Sequence, residues 1–259
     1  MPTTERETEP CRICGAVLAV RVSFSPIHQQ TFRYPEECQT CAADEARANA
    51  SRQRAILTPG FIRESGVPER WAGSSLDAAI WPGLVVDGGN GPAVEALRGW
   101  VAGPTSLYVY GTTGSGKTTL AMAALLDCCR DAQEGLFLPE KQLEADLHRG
   151  WARDMIHRAW EVQVLVLDDI ASRDLDARLM TVYRDIFDER EMAGRKTLVT
   201  GQKPPAKLMA HWRLAGGAGK EDAGIREDVA SRLRVLLGGN AVEVRGGNRR
   251  LEGRNVQRG

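Results

Sequence analysis

Eight consecutive residues, Gly111-Thr112-Thr113-Gly114-Ser115-Gly116-Lys117-Thr118, have the types and spacing needed to hold a triphosphate. The glycines let the backbone fold tightly around phosphate oxygens. Successive N–H groups then point inward at the start of a helix, where the helix dipole also favours anions. Lys117 is expected to reach the β- and γ-phosphates and the Thr118 hydroxyl to coordinate Mg2+, with Thr119 counted among the nucleotide contacts. The alternative is an accidental glycine-rich turn. Against it, an apolar strand, Leu107-Tyr108-Val109-Tyr110, precedes the loop, and an amphipathic helix from Thr119 to Gln133 follows.

A phosphate loop alone does not show hydrolysis, so the carboxylate for the metal has to be found elsewhere. Val164-Leu165-Val166-Leu167-Asp168-Asp169-Ile170 reads as a buried strand that ends in two acids. Ionised carboxylates in such a place are costly to desolvate unless a cation is near. The carboxyl ends of parallel strands are also where ligands bind in open sheets. Asp168 is expected to hold Mg2+ through a water, and Asp169 to orient or deprotonate the attacking water. The plain alternative is a strand that ends in a polar turn.

A second constellation lies near the N-terminus. Cys11-x2-Cys14 and Cys38-x2-Cys41 form two hooks separated by 23 residues. Two thiolates at that spacing can grip one side of a tetrahedral Zn2+ from a tight turn, and the second pair closes the tetrahedron. Between the hooks, Val17 to Val22 and Phe32-Arg33-Tyr34 are β-prone and broken by Ser25-Pro26, a hairpin too small to bury itself. The metal would serve as its core. Four unrelated cysteines or a redox pair are the competing readings. His28 reads as an exposed histidine rather than a ligand, and Cys128 and Cys129 as packing thiols within an apolar helix.

The elements that must position these groups follow from periodicity. After Cys41, residues 42 to 54 are rich in helix formers with alternating charge, an exposed connecting helix expected to stop at Thr58-Pro59-Gly60. Turn-forming residues from Gly66-Val67-Pro68 to Gly88-Gly89-Asn90-Gly91-Pro92 lead into the main domain. Beyond them, strands are expected at Leu107–Tyr110, Leu136–Leu138, Val162–Leu167, Lys196–Thr200 and Ala241–Val244, separated by helical segments. Five short apolar strands in that alternation imply a parallel sheet covered by helices on both faces, an α/β fold. The expected organisation is a zinc-ribbon-like domain over 1–50, a linker and lead-in segment over 51–91, the nucleotide-binding domain over 92–245, and a basic tail over 246–259.

Composition narrows the function classes. The chain has 259 residues, with 34 basic side chains against 34 acidic ones, so overall charge advertises neither a nucleic acid nor a membrane partner. No run approaches the roughly 18 apolar residues of a membrane span, and the N-terminus lacks a secretory pattern. The expectation is a cytoplasmic protein in which cysteines bind metal, catalyse or pack as free thiols rather than form disulfides. Locally, five arginines and one glutamate from Arg245 onward would suit phosphate contacts, and would equally suit a solvated tail.

From Gly66-Val67-Pro68-Glu69-Arg70-Trp71 to the C-terminus, the order and wording of the segments resemble the AAA+ ATPases of the DnaC/DnaI helicase-loader group and the related IstB transposition helpers. The discriminating segments are Val229-Ala230-Ser231-Arg232-Leu233 and Val242-Glu243-Val244-Arg245-Gly246-Gly247-Asn248-Arg249-Arg250. A cysteine-rich module ahead of the ATPase is similar to the DnaI arrangement, where that part engages the helicase.

The resemblance implies a lidless AAA+ domain, slow Mg2+-dependent ATP hydrolysis stimulated by DNA or by assembly, and a homo-oligomer with ATP at its subunit interfaces. Its partners would be the replicative helicase and single-stranded DNA. It further implies that the strand from Thr197 ends in a γ-phosphate reader. Thr200-Gly201-Gln202 stands where the family usually has Thr-Ser-Asn, so Gln202 takes that role, with Thr200 as the substitute. Arg232 matches the family's arginine finger, which acts in a neighbouring subunit's site. By itself it reads equally as a helix charge pairing with Glu227 or Asp228. Asp169 stands where many relatives have glutamate, and its shorter reach implies slow turnover. The glycine-rich stretch Ala215–Asp222 is expected to be a flexible insertion. The zinc hooks favour the helicase loader. The alternative is an IstB-like helper that coats DNA and regulates a transposase.

Overall fold

A computed structural model describes residues 8–11, 13–25, 30–35, 38–170, 177–214 and 220–246. The chain divides into two compact units, residues 1–56 and 57–259.

In the first unit, strands β1 (Thr8–Pro10), β2 (Val17–Ser25) and β3 (Gln30–Pro35) form an antiparallel sheet in that order. Thr8 lies opposite Ala19, and Val22 opposite Arg33. The expected hairpin is therefore present, with one further strand before it; His28 lies outside the described residues.

Helix α1 (Gln39–Glu64) follows and corrects the expected stop, because it runs through Pro59 and Gly60. An interior proline loses a hydrogen bond and crowds the preceding turn. Here, local propensity is overridden by anchoring of the helix end within the second unit. Thr58 Oγ1 donates to the carbonyls of Cys129 and Arg130, and Phe61 and Ile62 pack on apolar neighbours.

The second unit alternates helix and strand as the hydrophobic pattern requires. Its elements are α2 (Gly91–Ala102), β4 (Leu107–Tyr110), α3 (Lys117–Arg130), β5 (Gly135–Pro139), α4 (Glu140–Arg149), α5 (Ala152–Glu161) and β6 (Val164–Ile170). Then come α6 (Ala177–Met192), β7 (Lys196–Gly201), α7 (Pro205–Leu214), α8 (Lys220–Leu237) and β8 (Ala241–Glu243). All five strands are parallel, in the order β5-β6-β7-β4-β8. Strands β4 to β7 are buried on both faces and read as largely apolar runs, whereas β8 at the edge is only partly buried.

Successive strand side chains point to opposite faces, and the core divides accordingly. Val164 and Val166 pack with Leu97, Leu120 and Leu125 from α2 and α3. Leu165 and Leu167 face Ile186, Phe187 and Leu233 from α6 and α8. A buried arginine closes the far end of the sheet: Arg190 donates to Ala159 O and Val162 O at 2.8 Å, to Lys196 O at 2.7 Å and to Thr197 Oγ1 at 2.8 Å. Losing it would leave several buried acceptors unpaired, at about 1 to 3 kcal/mol for each group that finds no other donor.

The helix expected at Thr119 starts two residues earlier, at Lys117. Residues 215–219 of the glycine-rich stretch, and the tail from 247 onward, lie outside the described residues. Lys220 already opens α8. No helix among the described residues is long and apolar enough to cross a membrane.

Candidate functional site

The phosphate loop connects β4 to α3. Gly116, the residue before α3, is in the left-handed region at φ 100°, and no side chain caps the helix, so its first amides are left for an external acceptor. Gly111 is required for a different reason. At φ 153°, a Cβ there would lie 2.3 Å from the Val244 carbonyl at the end of β8. Lys117 is buried, and its Nζ donates to Gly111 O and Thr112 O, both at 2.9 Å. The ammonium is thus held inside the loop it serves. Ser115 Oγ is buried with no partner among the described residues, which fits a polar ligand in this cradle.

The second group of residues comes from β6 and β7. Thr118 Oγ1 donates to Asp168 Oδ2 at 3.1 Å, and Thr200 Oγ1 donates to Asp168 Oδ1 at 2.7 Å. Burial pushes the Asp168 pKa up. The hydroxyls of Thr200 and Thr118 and the charge of Lys117 oppose that shift, while the Asp169 charge adds to it. The oxygen-only donor set of Thr118 and Asp168 fits a hard cation such as Mg2+, which would supply the positive charge this buried carboxylate needs.

Asp169 has φ 59°, left-handed although it is not glycine. The β6–β7 register slips beside it, since Leu167 pairs with Val199 while Ile170 pairs with Gly201. The backbone N–H of Asp169 donates to Thr200 Oγ1 at 2.9 Å. Gln202 is exposed, and its Nε2 lies 3.4 Å from Asp169 Oδ1. The Gln202 turn is held from below, because Tyr108 Oη donates to Lys203 O at 2.7 Å.

These groups open onto a cleft of about 810 Å³, whose walls include Gly114 to Thr119, Asp168, Asp169 and Gln202, and not Thr200. Trp71, Trp81, Leu84, Val85 and Met122 add apolar surface to its wall, with Arg70 and Asn90 among the polar residues that also line it. Trp71 and Trp81 meet edge to face at 6.2 Å. Such a wall suits a flat base beyond the phosphates. Sequence reasoning missed it: apart from Met122, which falls in the helix expected from Thr119, these residues lie in the segment assigned to linker and turns. Two tryptophans and Leu84-Val85 among turn formers were the available signal.

Arg232 lies on α8, away from the cleft wall, with Nε 3.2 Å from Asp228 Oδ1 one turn earlier and a second ion pair to Asp188 on α6. Within one chain it therefore has the carboxylate partners of a helix charge.

The four hook cysteines form a separate cluster in the first unit. Their sulfurs all lie within 4.8 Å of one another, with Cys11 Sγ 3.7 Å from Cys41 Sγ and Cys14 Sγ 3.5 Å from Cys38 Sγ. Zinc–sulfur bonds of about 2.3 Å arranged tetrahedrally place sulfurs about 3.8 Å apart, so the cluster fits Zn2+. The first hook is a closed turn, with Cys11 N–H donating to Ala16 O and Gly15 N–H to Cys11 O; the second opens α1. Backbone amides of Cys14 and Ile13 draw the Cys11 thiol down to about 6, while hydrogen bonding to Cys14 and the neighbouring sulfurs pushes the Cys41 thiol up, as in a cluster of crowded thiols. Burial instead pushes Cys128 up to about 11 and Cys129 to about 12, as expected of inert packing thiols.

A five-stranded parallel sheet with β7 inserted between the phosphate-loop strand and the aspartate strand defines a P-loop ATP-binding protein of the AAA+ class. Residues 93–251, more than half of the chain, match the family described as IstB-like ATP binding protein, and the chain belongs to that family. The fold is shared with solved structures of low identity. That of DnaI is 22% identical with a TM-score of 0.57, the match covering 71% of this chain and 94% of that one. The DnaC helicase loader is 21% identical at 0.52, covering 69% and 100%. The replication initiator DnaA bound to AMPPCP and single-stranded DNA is 18% identical at 0.52, covering 73% and 57%. No curated protein matches the sequence.

Proposed function

We propose that the chain is an ATP-dependent loader that delivers a replicative DNA helicase onto single-stranded DNA, acting in the cytoplasm as an oligomer with ATP at its subunit interfaces. The observation that carries the reading is the coupling of the phosphate loop to the aspartate pair through Thr118 and Asp168, together with a separate unit built around four cysteines. The first supplies a nucleotide switch. The second supplies a separate docking module, which an ATPase acting on DNA alone would not need.

In this reading Lys117 and the amides opening α3 hold the phosphates. Thr118 and Asp168 hold Mg2+, which screens the phosphate charge. Asp169 and Gln202 position the attacking water, and Arg232 exchanges its bonds to Asp188 and Asp228 for a phosphate in a neighbouring subunit. Such a finger is worth about 10³ to 10⁵ in rate, so an isolated subunit hydrolyses ATP slowly. Zn2+ on Cys11, Cys14, Cys38 and Cys41 holds the docking module, and the basic tail after Arg245 contacts DNA phosphates. The fold shared with DnaI and the DnaC helicase loader supports the reading.

The family match is equally compatible with a second reading, an IstB-like helper that coats DNA and regulates a transposase. One experiment separates them. The full chain and a form lacking residues 1–56 are each tested for capture of a replicative helicase and of a transposase. ATP hydrolysis is measured alongside, with and without single-stranded DNA. Helicase capture that needs the cysteine module supports loading. Capture of the transposase alone overturns it.

A further inference from the structure

In an extended strand, consecutive side chains face opposite sides of the sheet, so Asp168 and Asp169 should not both reach one cleft. They do, because β6 is bulged at this point. The bulge takes up one extra residue against β7, and Asp169 turns left-handed to accommodate it. A left-handed conformation in a residue with a side chain persists only where the surroundings enforce it.

One β7 hydroxyl bonds to both residues of the bulge. Thr200 Oγ1 spends its one proton on Asp168 Oδ1 at 2.7 Å and accepts the Asp169 backbone N–H at 2.9 Å. It is fully buried and does not line the cleft, so it has no proton left for a phosphate and no path to one. That differs from the role implied by family resemblance, in which Thr200 could read the γ-phosphate.

We propose that Thr200 is a positioning residue: its hydroxyl pins the β6 bulge and thereby aims Asp168 and Asp169 into the same cleft. The inference rests on the reading of that cleft as a MgATP site. Gln202, exposed and beside Asp169, is left as the polar group at the strand end that faces the nucleotide.

The test uses the full chain with Thr200→Val, which keeps the side-chain shape and removes the hydroxyl, and Thr200→Ser, which keeps the hydroxyl. The affinity for a fluorescent ATP analogue is measured with and without Mg2+, together with turnover. Without Mg2+, both variants should bind within about threefold of the wild type. Groups that orient a metal ligand typically matter by about 10- to 100-fold, so in Thr200→Val the gain in affinity on adding Mg2+ should fall by about tenfold or more. Thr200→Ser should retain it.

An undiminished Mg2+ gain in Thr200→Val overturns the proposal. So does a Thr200→Ser variant as impaired as Thr200→Val, and so does a collapse of Mg2+-free binding, which would mark a general support of the fold. Wild-type protein that gains affinity with Mg2+ but never turns over ATP would sink hydrolysis alone, and the Mg2+ comparison would still decide Thr200. Wild-type protein with no Mg2+ gain would sink both.

Discussion

Thr118 and Asp168 are 50 residues apart in sequence, yet the hydroxyl of one donates to the carboxylate of the other at 3.1 Å. One belongs to the helix after β4 and the other ends β6, and β7 lies between those strands. The contact joins the phosphate loop to the aspartate pair across the sheet, and the variants below probe its two sides separately.

Lys117→Ala removes an ammonium whose charge-assisted bonds are worth about 1.5 to 3 kcal/mol each, so ATP affinity should weaken by about 10- to 100-fold. The tryptophans at the base end give the readout. Nucleotide should change the emission of wild-type protein through Trp71 and Trp81, and Lys117→Ala should need correspondingly more ATP for the same change.

Asp168→Asn should separate stability from function. Burial raises the native pKa of this carboxyl above the unfolded value of 3.8, so between those two values the native state binds more protons than the unfolded one. Its contribution to stability therefore declines as pH rises through that window and stays unfavourable at neutral pH. Nucleotide-free Asp168→Asn should melt higher than wild type at neutral pH and lose the Mg2+ gain in ATP affinity. A lower melting point at neutral pH would contradict the burial argument.

Gly201→Ala should be destabilising by about 1 to 3 kcal/mol, the usual cost of overpacking. A Cβ at Gly201 would lie 2.3 Å from Tyr108 Oη, the group that supports the Gln202 turn through Lys203 O. This also accounts for glycine where the family usually has serine. Adding Tyr108→Phe should restore part of the loss, and a double-mutant cycle from urea midpoints would measure the coupling. Strict additivity would show that the two groups do not compete for space.

Cys14→Ser should abolish bound zinc, read by a colorimetric release assay, and should loosen residues 8–56, read by protease cutting. Residues 57–259 carry their own core and the whole cleft, so ATP affinity should stay within about threefold, as expected for sites that share no partners. Equal loss of ATP binding would show that the two units are not independent.

Much of this was readable along the chain. The phosphate loop and the double-aspartate strand end are local patterns in which residue type and spacing are the chemistry. The paired cysteine hooks are likewise local, and all five strands of the main sheet stood out as apolar runs. Less legible were the features in which distant segments compete. Pro59 signals a helix stop, but Thr58, Phe61 and Ile62 find partners that hold the helix beyond it. The tryptophan wall sits in a stretch rich in turn formers, and only folding brings Trp71 and Trp81 to the cleft.

By itself, the sequence determined which groups could meet a nucleotide and a metal, because backbone freedom at glycine, charge at lysine and aspartate, and thiol pairs at close spacing are properties of short segments. Tertiary structure alone decided that β7 separates the two halves of the site and that a bulge turns both aspartates the same way. It also decided that Thr200 sits behind them rather than in the cleft. Strand order and register depend on pairing between segments far apart in the chain, and no local pattern encodes a partner that distant.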